Sequence, residues 1–160
     1  MKRATAVSFV AFVILGPLSA CVRADALLRV HMIDAKAEMP IAGKPVRVWV
    51  FDASGQKRPG YLEEKTDKDG VAQFHFSDPL PSRLIIHNGM GGYWEECSPN
   101  NRTSYNLSEI LETGFAEEGF CGNLPNIASK FHPNPGDLYI FPIHYSLWQR
   151  LNHCGEFGCR

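Results

Sequence analysis

The sequence predicts an all-β fold, one antiparallel β-sandwich with a short helix and a disulfide-stapled C-terminal extension. Three observations lead there. Apolar and polar residues alternate over several short runs, the period of half-buried strands. Turn residues separate these runs, with 14 glycines and 11 prolines in 160 residues, too many breakers for long helices. Cys97, Cys121, Cys154 and Cys159 all fall in the second half, where the alternation fades.

Residues 27–34 place Leu28, Val30 and Met32 on one face and Arg29, His31 and Ile33 on the other. Residues 45–51 repeat the pattern, with Val46, Val48 and Val50 opposite Arg47, Trp49 and Phe51. Gly43-Lys44-Pro45 and Ala53-Ser54-Gly55 read as turns. Thr66-Asp67-Lys68-Asp69-Gly70 is the sharpest turn, because Asp closes on backbone amides and Gly accepts left-handed backbone. A strand over 71–76 follows, with Ala72, Phe74 and Phe76 inward, and another over 83–87. Asn106 caps a two-turn helix, Glu109 stands where a capping box needs it, and Gly114 stops the helix. Its stripe is Leu107, Ile110 and Leu111. After the Pro135-Gly136 turn, residues 138–141 form a last strand, and residues 146–151 a short terminal helix.

The order Pro40-Ile41-Ala42-Gly43-Lys44-Pro45-Val46-Arg47-Val48, then Thr66-Asp67-Lys68-Asp69-Gly70-Val71-Ala72-Gln73-Phe74, resembles the carboxypeptidase regulatory-like domains. These share the transthyretin-like (prealbumin-like), Ig-like sandwich with the bacterial CnaB-type repeats. The match covers residues 27–96. It departs from the pattern at Leu80-Pro81-Ser82-Arg83-Leu84, where a proline-glycine-aromatic entry is usual. The resemblance implies spacer, adhesive and accessory roles and carries no catalytic residues with it.

Lys2 and Arg3 followed by the apolar run Ala4–Leu18 form the leading regions of a secretory signal peptide. Leu18-Ser19-Ala20-Cys21 resembles the lipobox of bacterial lipoproteins, which implies cleavage behind Ala20 and acylation of Cys21. Cleavage after Ala24 is the other reading and gives a secreted, soluble chain. The chain thus divides into a signal peptide (1–20), a linker (21–26), a sandwich core (27–96) and a cysteine-containing extension of the same domain (97–160). The expected location is the bacterial cell envelope or periplasm, with contact to the membrane only through a lipid anchor.

With Cys21 acylated, or removed by cleavage after Ala24, four cysteines remain for an oxidising compartment, with three possible pairings. The local choice is Cys97–Cys121 with Cys154–Cys159. A balance of 16 Lys and Arg against 17 Asp and Glu excludes a polyphosphate-neutralising surface, so no nucleic-acid partner is expected.

Two constellations bear on chemistry. His31, His75 and His87 share the outward parity of their strands and would make a zinc or copper site if those strands were neighbours. Trp49, Tyr93 and Trp94 could form an aromatic platform for glycan or peptide, against the alternative of filling the core. No Gly-x-Ser-x-Gly or Ser-x-x-Lys nucleophile motif occurs. Hydroxyisourate hydrolases of the same fold carry a C-terminal Tyr-Arg-Gly-Ser, which residues 156–160 lack. The reading is therefore a non-catalytic envelope module without a cofactor that binds a protein or glycan, with a metal-binding periplasmic protein as the alternative. An open edge strand that accepts a partner strand is one physical route to such binding.

Overall fold

The computed structural model describes residues 25–90, 94–96, 104–118 and 127–146. Cys21, Cys97, Cys121, Cys154, Cys159 and Tyr93 lie outside them, as do the signal segment and residues 147–151 of the expected terminal helix. Within them run strands β1 (Ala26–Met32), β2 (Pro45–Phe51), β3 (Leu62–Lys65), β4 (Val71–Phe76), β5 (Arg83–His87), β6 (Trp94–Glu96) and β7 (Tyr105–Asn106). Helix α1 (Leu107–Thr113), β8 (Phe115–Ala116), a 3-10 turn (Ala128–Lys130), β9 (Asp137–Ile140) and β10 (Pro142–His144) follow.

Two four-stranded sheets face each other, in the orders β4-β1-β9-β8 and β3-β2-β5-β7, with a separate β10-β6 pair. The alternation read from the sequence sets the inner faces. Leu28, Val30 and Met32 of β1, Val46 and Val48 of β2 and Leu84 of β5 are fully buried, and Ala72, Phe74 and Phe76 of β4 join the same core. At about 25 cal/mol per Å² of apolar surface, this shared core is the main stabilising term.

The sheets are not purely antiparallel as expected. β9 runs parallel to both β1 and β8. A parallel neighbour needs a long crossover, and the stretch from Ala116 to Asp137 provides one. Parallel strands tend to be covered on both faces, and here β9 and β8 are, while Gln73 and His75 on the outer face of β4 stay exposed. The sheet's outer face carries a second apolar cluster of Ile33, Ile127, Phe141 and Ile143, with Tyr139, Phe131 and Ala116 packed against it.

The two sharpest sequence signals hold in detail. Asp67 Oδ1 accepts the amides of Asp69 and Val71 at 2.9 and 3.0 Å. Buried Thr66 donates its hydroxyl to the Ile41 carbonyl at 2.7 Å, which ties this turn to the entry of β2. Gly70 has φ 76°, and a Cβ there would come within 2.9 Å of the Met32 carbonyl. Asn106 caps α1 by accepting the Ser108 amide at 3.1 Å. Gly114 ends the helix at φ 70° and returns its amide to the Ile110 carbonyl. Among the described residues, no helix is long and apolar enough to cross a membrane.

Candidate functional site

Strand β3 reads Leu-Glu-Glu-Lys, lies at the edge of its sheet, and exposes all four residues. Its pairing phase with β2 follows from its end. The Thr66 amide donates to the Lys44 carbonyl, so Thr66 faces β2. Alternation along β3 then turns the backbone groups of Glu64 and Leu62 toward β2, in register with Val46 and Val48. The N–H and C=O groups of Glu63 and Lys65 point away from the sheet. Among the described residues, no hydrogen bond satisfies them.

Opposite this edge lies the edge strand of the other sheet, β4, joined to β3 through the Thr66–Gly70 turn. Beyond that turn a cleft of about 320 Å³ opens between the two edges. Val50, Tyr61, Leu62, Phe76, Pro59 and Pro81 give it apolar walls, and Arg58 and His75 bring polar groups to it. Tyr61 is 49% and Leu62 43% exposed, two of the three large exposed apolar side chains among the described residues.

Behind the edge, the outer face of β3-β2-β5 is laid out in cross-strand rows. Glu63, Arg47 and His87 form one row, and Tyr61 lies beside the next, of Trp49 and Ile85. Phe51 and Arg83 form the third, with Lys57 bridged to Phe51. Arg47 binds Glu63 at 2.6 Å and lies over the Tyr61 ring. The Lys57 ammonium sits 5.2 Å from the Trp49 ring centre, and His87 meets Trp49 edge-on. Burial, reinforced by the Lys57 charge, holds the His87 imidazole below its ordinary pKa.

The other sheet holds a buried polar node. Asp137, at the start of β9, is 3% exposed. Its Oδ1 accepts Arg29 Nε at 2.5 Å and lies 3.1 Å from His31 Nε2, while Oδ2 accepts the Asn134 amide at 3.1 Å. Burial alone would raise this carboxyl's pKa, but Arg29, His31 and the Asn134 amide together hold it below the ordinary value. Burial, with the Asp137 charge, raises the Tyr139 phenol. His31 stacks on Tyr139 with ring centres 4.2 Å apart. An Asp–His pair is the orienting half of a hydrolytic triad. Here the carboxylate is shared with Arg29 and a backbone amide, and among the described residues no hydroxyl bonds to the imidazole. The node ties β1 to β9.

The expected three-histidine face does not form. His31 and His75 lie on paired strands, but His31 stands opposite Val71 and His75 opposite Leu27. Four residues of strand separate them, about 13 Å. His87 lies in the other sheet. The condition for convergence, three neighbouring strands, fails because the fold splits these strands between its two layers. Among the described residues, no three His, Cys, Asp or Glu side chains gather as a metal site would need.

Of the expected aromatic platform, Tyr93 lies outside the described residues, and Trp49 and Trp94 stand on separate sheets. Trp49 lies on the outer face described above, whereas Trp94 packs against the main core and meets the His144 ring at 5.0 Å. Trp94 is thus a half-buried aromatic at the margin of the core. Tyr61 and Leu62, which form the exposed apolar site, were not read from the sequence. Their only signal was two large apolar residues beside Pro59-Gly60 in a segment without alternation.

The chain matches no protein-family profile and no curated protein. Among solved structures, the major pilin subunit of Bacillus cereus is similar over 74% of this chain and 30% of its own, at 12% identity and a TM-score of 0.34. This chain therefore spans less than a third of that pilin's length. Membership of the transthyretin-like family is shown by none of these matches. The β-rich sandwich rests on the strands and registers described above.

Proposed function

We propose that this chain is an exported, non-catalytic envelope module that binds a protein partner by adding the partner's strand to the β3 edge. One observation carries the reading. The unsatisfied backbone groups of Glu63 and Lys65 stand beside two exposed apolar side chains and an open cleft. β3 is short and charged, which limits indiscriminate edge pairing. The exposed Tyr61 and Leu62 and the cleft beside it are what favour a specific partner, since strand addition uses backbone bonds for affinity and pockets for specificity. Export, and anchoring through Cys21, rest on the leader and lipobox pattern. A glycan platform is less favoured, because Lys57 and Arg47 already lie over the rings of Trp49 and Tyr61.

The test is photo-crosslinking in the native envelope from position 62, compared with position 73 on the edge strand of the other sheet. A discrete partner adduct is expected from position 62 alone. Lys65→Pro should reduce it at least tenfold, because that substitution deletes an outward N–H and no bond to β2. Equal adducts from both positions, or an adduct indifferent to Lys65→Pro in a chain that melts like the wild type, would refute the reading.

A further inference from the structure

We infer that the β3 edge selects its partner by charge register. It takes an extended segment of a different protein that sets an apolar side chain opposite Leu62, a basic one opposite Glu64 and an acidic one opposite Lys65. It also disfavours a second copy of itself. This inference rests on strand addition at β3 and names the chemistry of the segment added.

Side chains directly opposite on neighbouring strands share a face. Leu62 and Glu64 carry the parity of buried Val48 and Val46, so they face the cleft side. A residue opposite Leu62 on an added strand therefore hangs over the cleft, whose apolar walls suit a large apolar group. Glu63 and Lys65 take the other face. Glu63 is already paired with Arg47 at 2.6 Å. Among the described residues, no cation pairs with Glu64 and no carboxylate with Lys65. These are the two charges left for a partner to answer.

Self-pairing is disfavoured on the same geometry. Two copies of an edge strand related by a two-fold axis run antiparallel, and the residue on the axis faces itself. The outward backbone groups belong to Glu63 and Lys65, so only registers that match outward with outward residues can form hydrogen bonds. Those covering the whole Glu63–Lys65 stretch put Glu63, Glu64 or Lys65 on the axis. Each opposes like charges directly, which is destabilising. In the Glu64-centred register the two Glu63–Lys65 pairs must share Glu63 with Arg47, so they offset the like pair only in part. A register centred on Leu62 instead sets Glu64 against Gly60, whose φ of 79° breaks the extended backbone.

The test is a titration of the full-length chain, followed through the backbone amide signals of Glu63 and Lys65. The probes are synthetic peptides with the core Asp-Lys-Thr-Phe, which matches in antiparallel pairing, and its reverse Phe-Thr-Lys-Asp for parallel pairing. Controls exchange Lys for Glu and Asp for Lys, or replace Phe by Ser. One matched peptide should shift both amides and bind about tenfold tighter than its charge-exchanged form. The Phe-to-Ser control should lose a similar factor. The Glu64→Lys, Lys65→Glu double variant should invert the charge preference. Glu64→Thr removes the like pair on the axis and leaves Glu63 opposite Lys65 in the other copy. That variant should dimerise in sedimentation at concentrations where the wild type does not.

Amide shifts with no charge preference would overturn the register rule while leaving strand addition standing. Matched peptides that leave both amides unmoved would overturn the inference, and crosslinking from position 62 would then judge strand addition separately. A wild-type chain that dimerises through β3 as readily as Glu64→Thr would also overturn it.

Discussion

The two sheets are built from similar alternating strands, yet they end up in different situations. The β4-β1-β9-β8 sheet is covered by the main core within and, over β9 and β8, by Ile127, Phe141 and Ile143 without, while Gln73 and His75 of β4 stay exposed. It contains the buried Asp137 node and the parallel strand pairs. The β3-β2-β5-β7 sheet is covered on its inner side. Its outer face is a half-buried layer of aromatic rings and cations, and its β3 edge is open. The difference teaches where to look for each property. Substitutions in the first sheet should move stability and leave binding alone, and those at the β3 edge should do the reverse.

The strongest way to break that division is the second apolar cluster. Phe141, 1% exposed, packs against Phe131 at 5.3 Å between ring centres. Phe141→Ala should cost about 3–5 kcal/mol in denaturant unfolding. Partner crosslinking from position 62 should persist wherever the variant is folded. Loss of crosslinking in the folded variant would mean that the two sheets are coupled.

Gly114→Ala should come next, at about 2–3 kcal/mol, since φ is 70° and a Cβ would stand 2.3 Å from the Asn134 carbonyl. A smaller loss in thermal unfolding would show that the loop at Asn134 yields.

Asp137→Asn should cost about 2 kcal/mol at neutral pH, because hydrogen bonds to a charged group are lost. The pH dependence has a definite sign. The folded carboxyl has a lowered pKa, so its contribution is complete above the unfolded value of about 3.9 and fades as pH falls through the folded value. The stability gap between wild type and variant should therefore close in acid. A gap that stays constant from neutral pH into strong acid would show that the carboxylate's charge is not what ties β1 to β9.

On the open sheet the expected stability effects shrink. Trp49→Ala should cost about 1 kcal/mol, from a half-buried ring and its Lys57 contact. Leu62→Ser should change stability by less than about 0.5 kcal/mol while reducing peptide binding. A large stability loss at Leu62 would mean that the cleft is part of the core and not a binding site.

How much of this was legible depends on what each residue meets. The strands facing the core could be read because burial forces a period of two, as at Leu28, Val30 and Met32. The Thr66–Gly70 turn and the α1 caps could be read because their bonds are local. β3 could not. Leu-Glu-Glu-Lys has no apolar alternation, since an exposed edge buries no face, and its strand state comes from pairing with β2. The candidate site escaped the sequence for the same reason, because what makes it a site is what it leaves uncovered. The histidine grouping erred because parity tells which face of a strand a residue takes and not which sheet the strand joins.

By itself, the sequence determined which residues turn inward, where the chain reverses and where the helix starts and stops. Those properties depend on periodicity and on bonds that span a few residues. Only the tertiary structure decided that β9 enters beside β1 to bring Asp137 to Arg29 and His31, more than a hundred positions away. It alone decided that His31 and His87 lie in separate layers and that β3 closes no sheet. Strand order and register are settled by packing across the whole chain, and no local pattern encodes that.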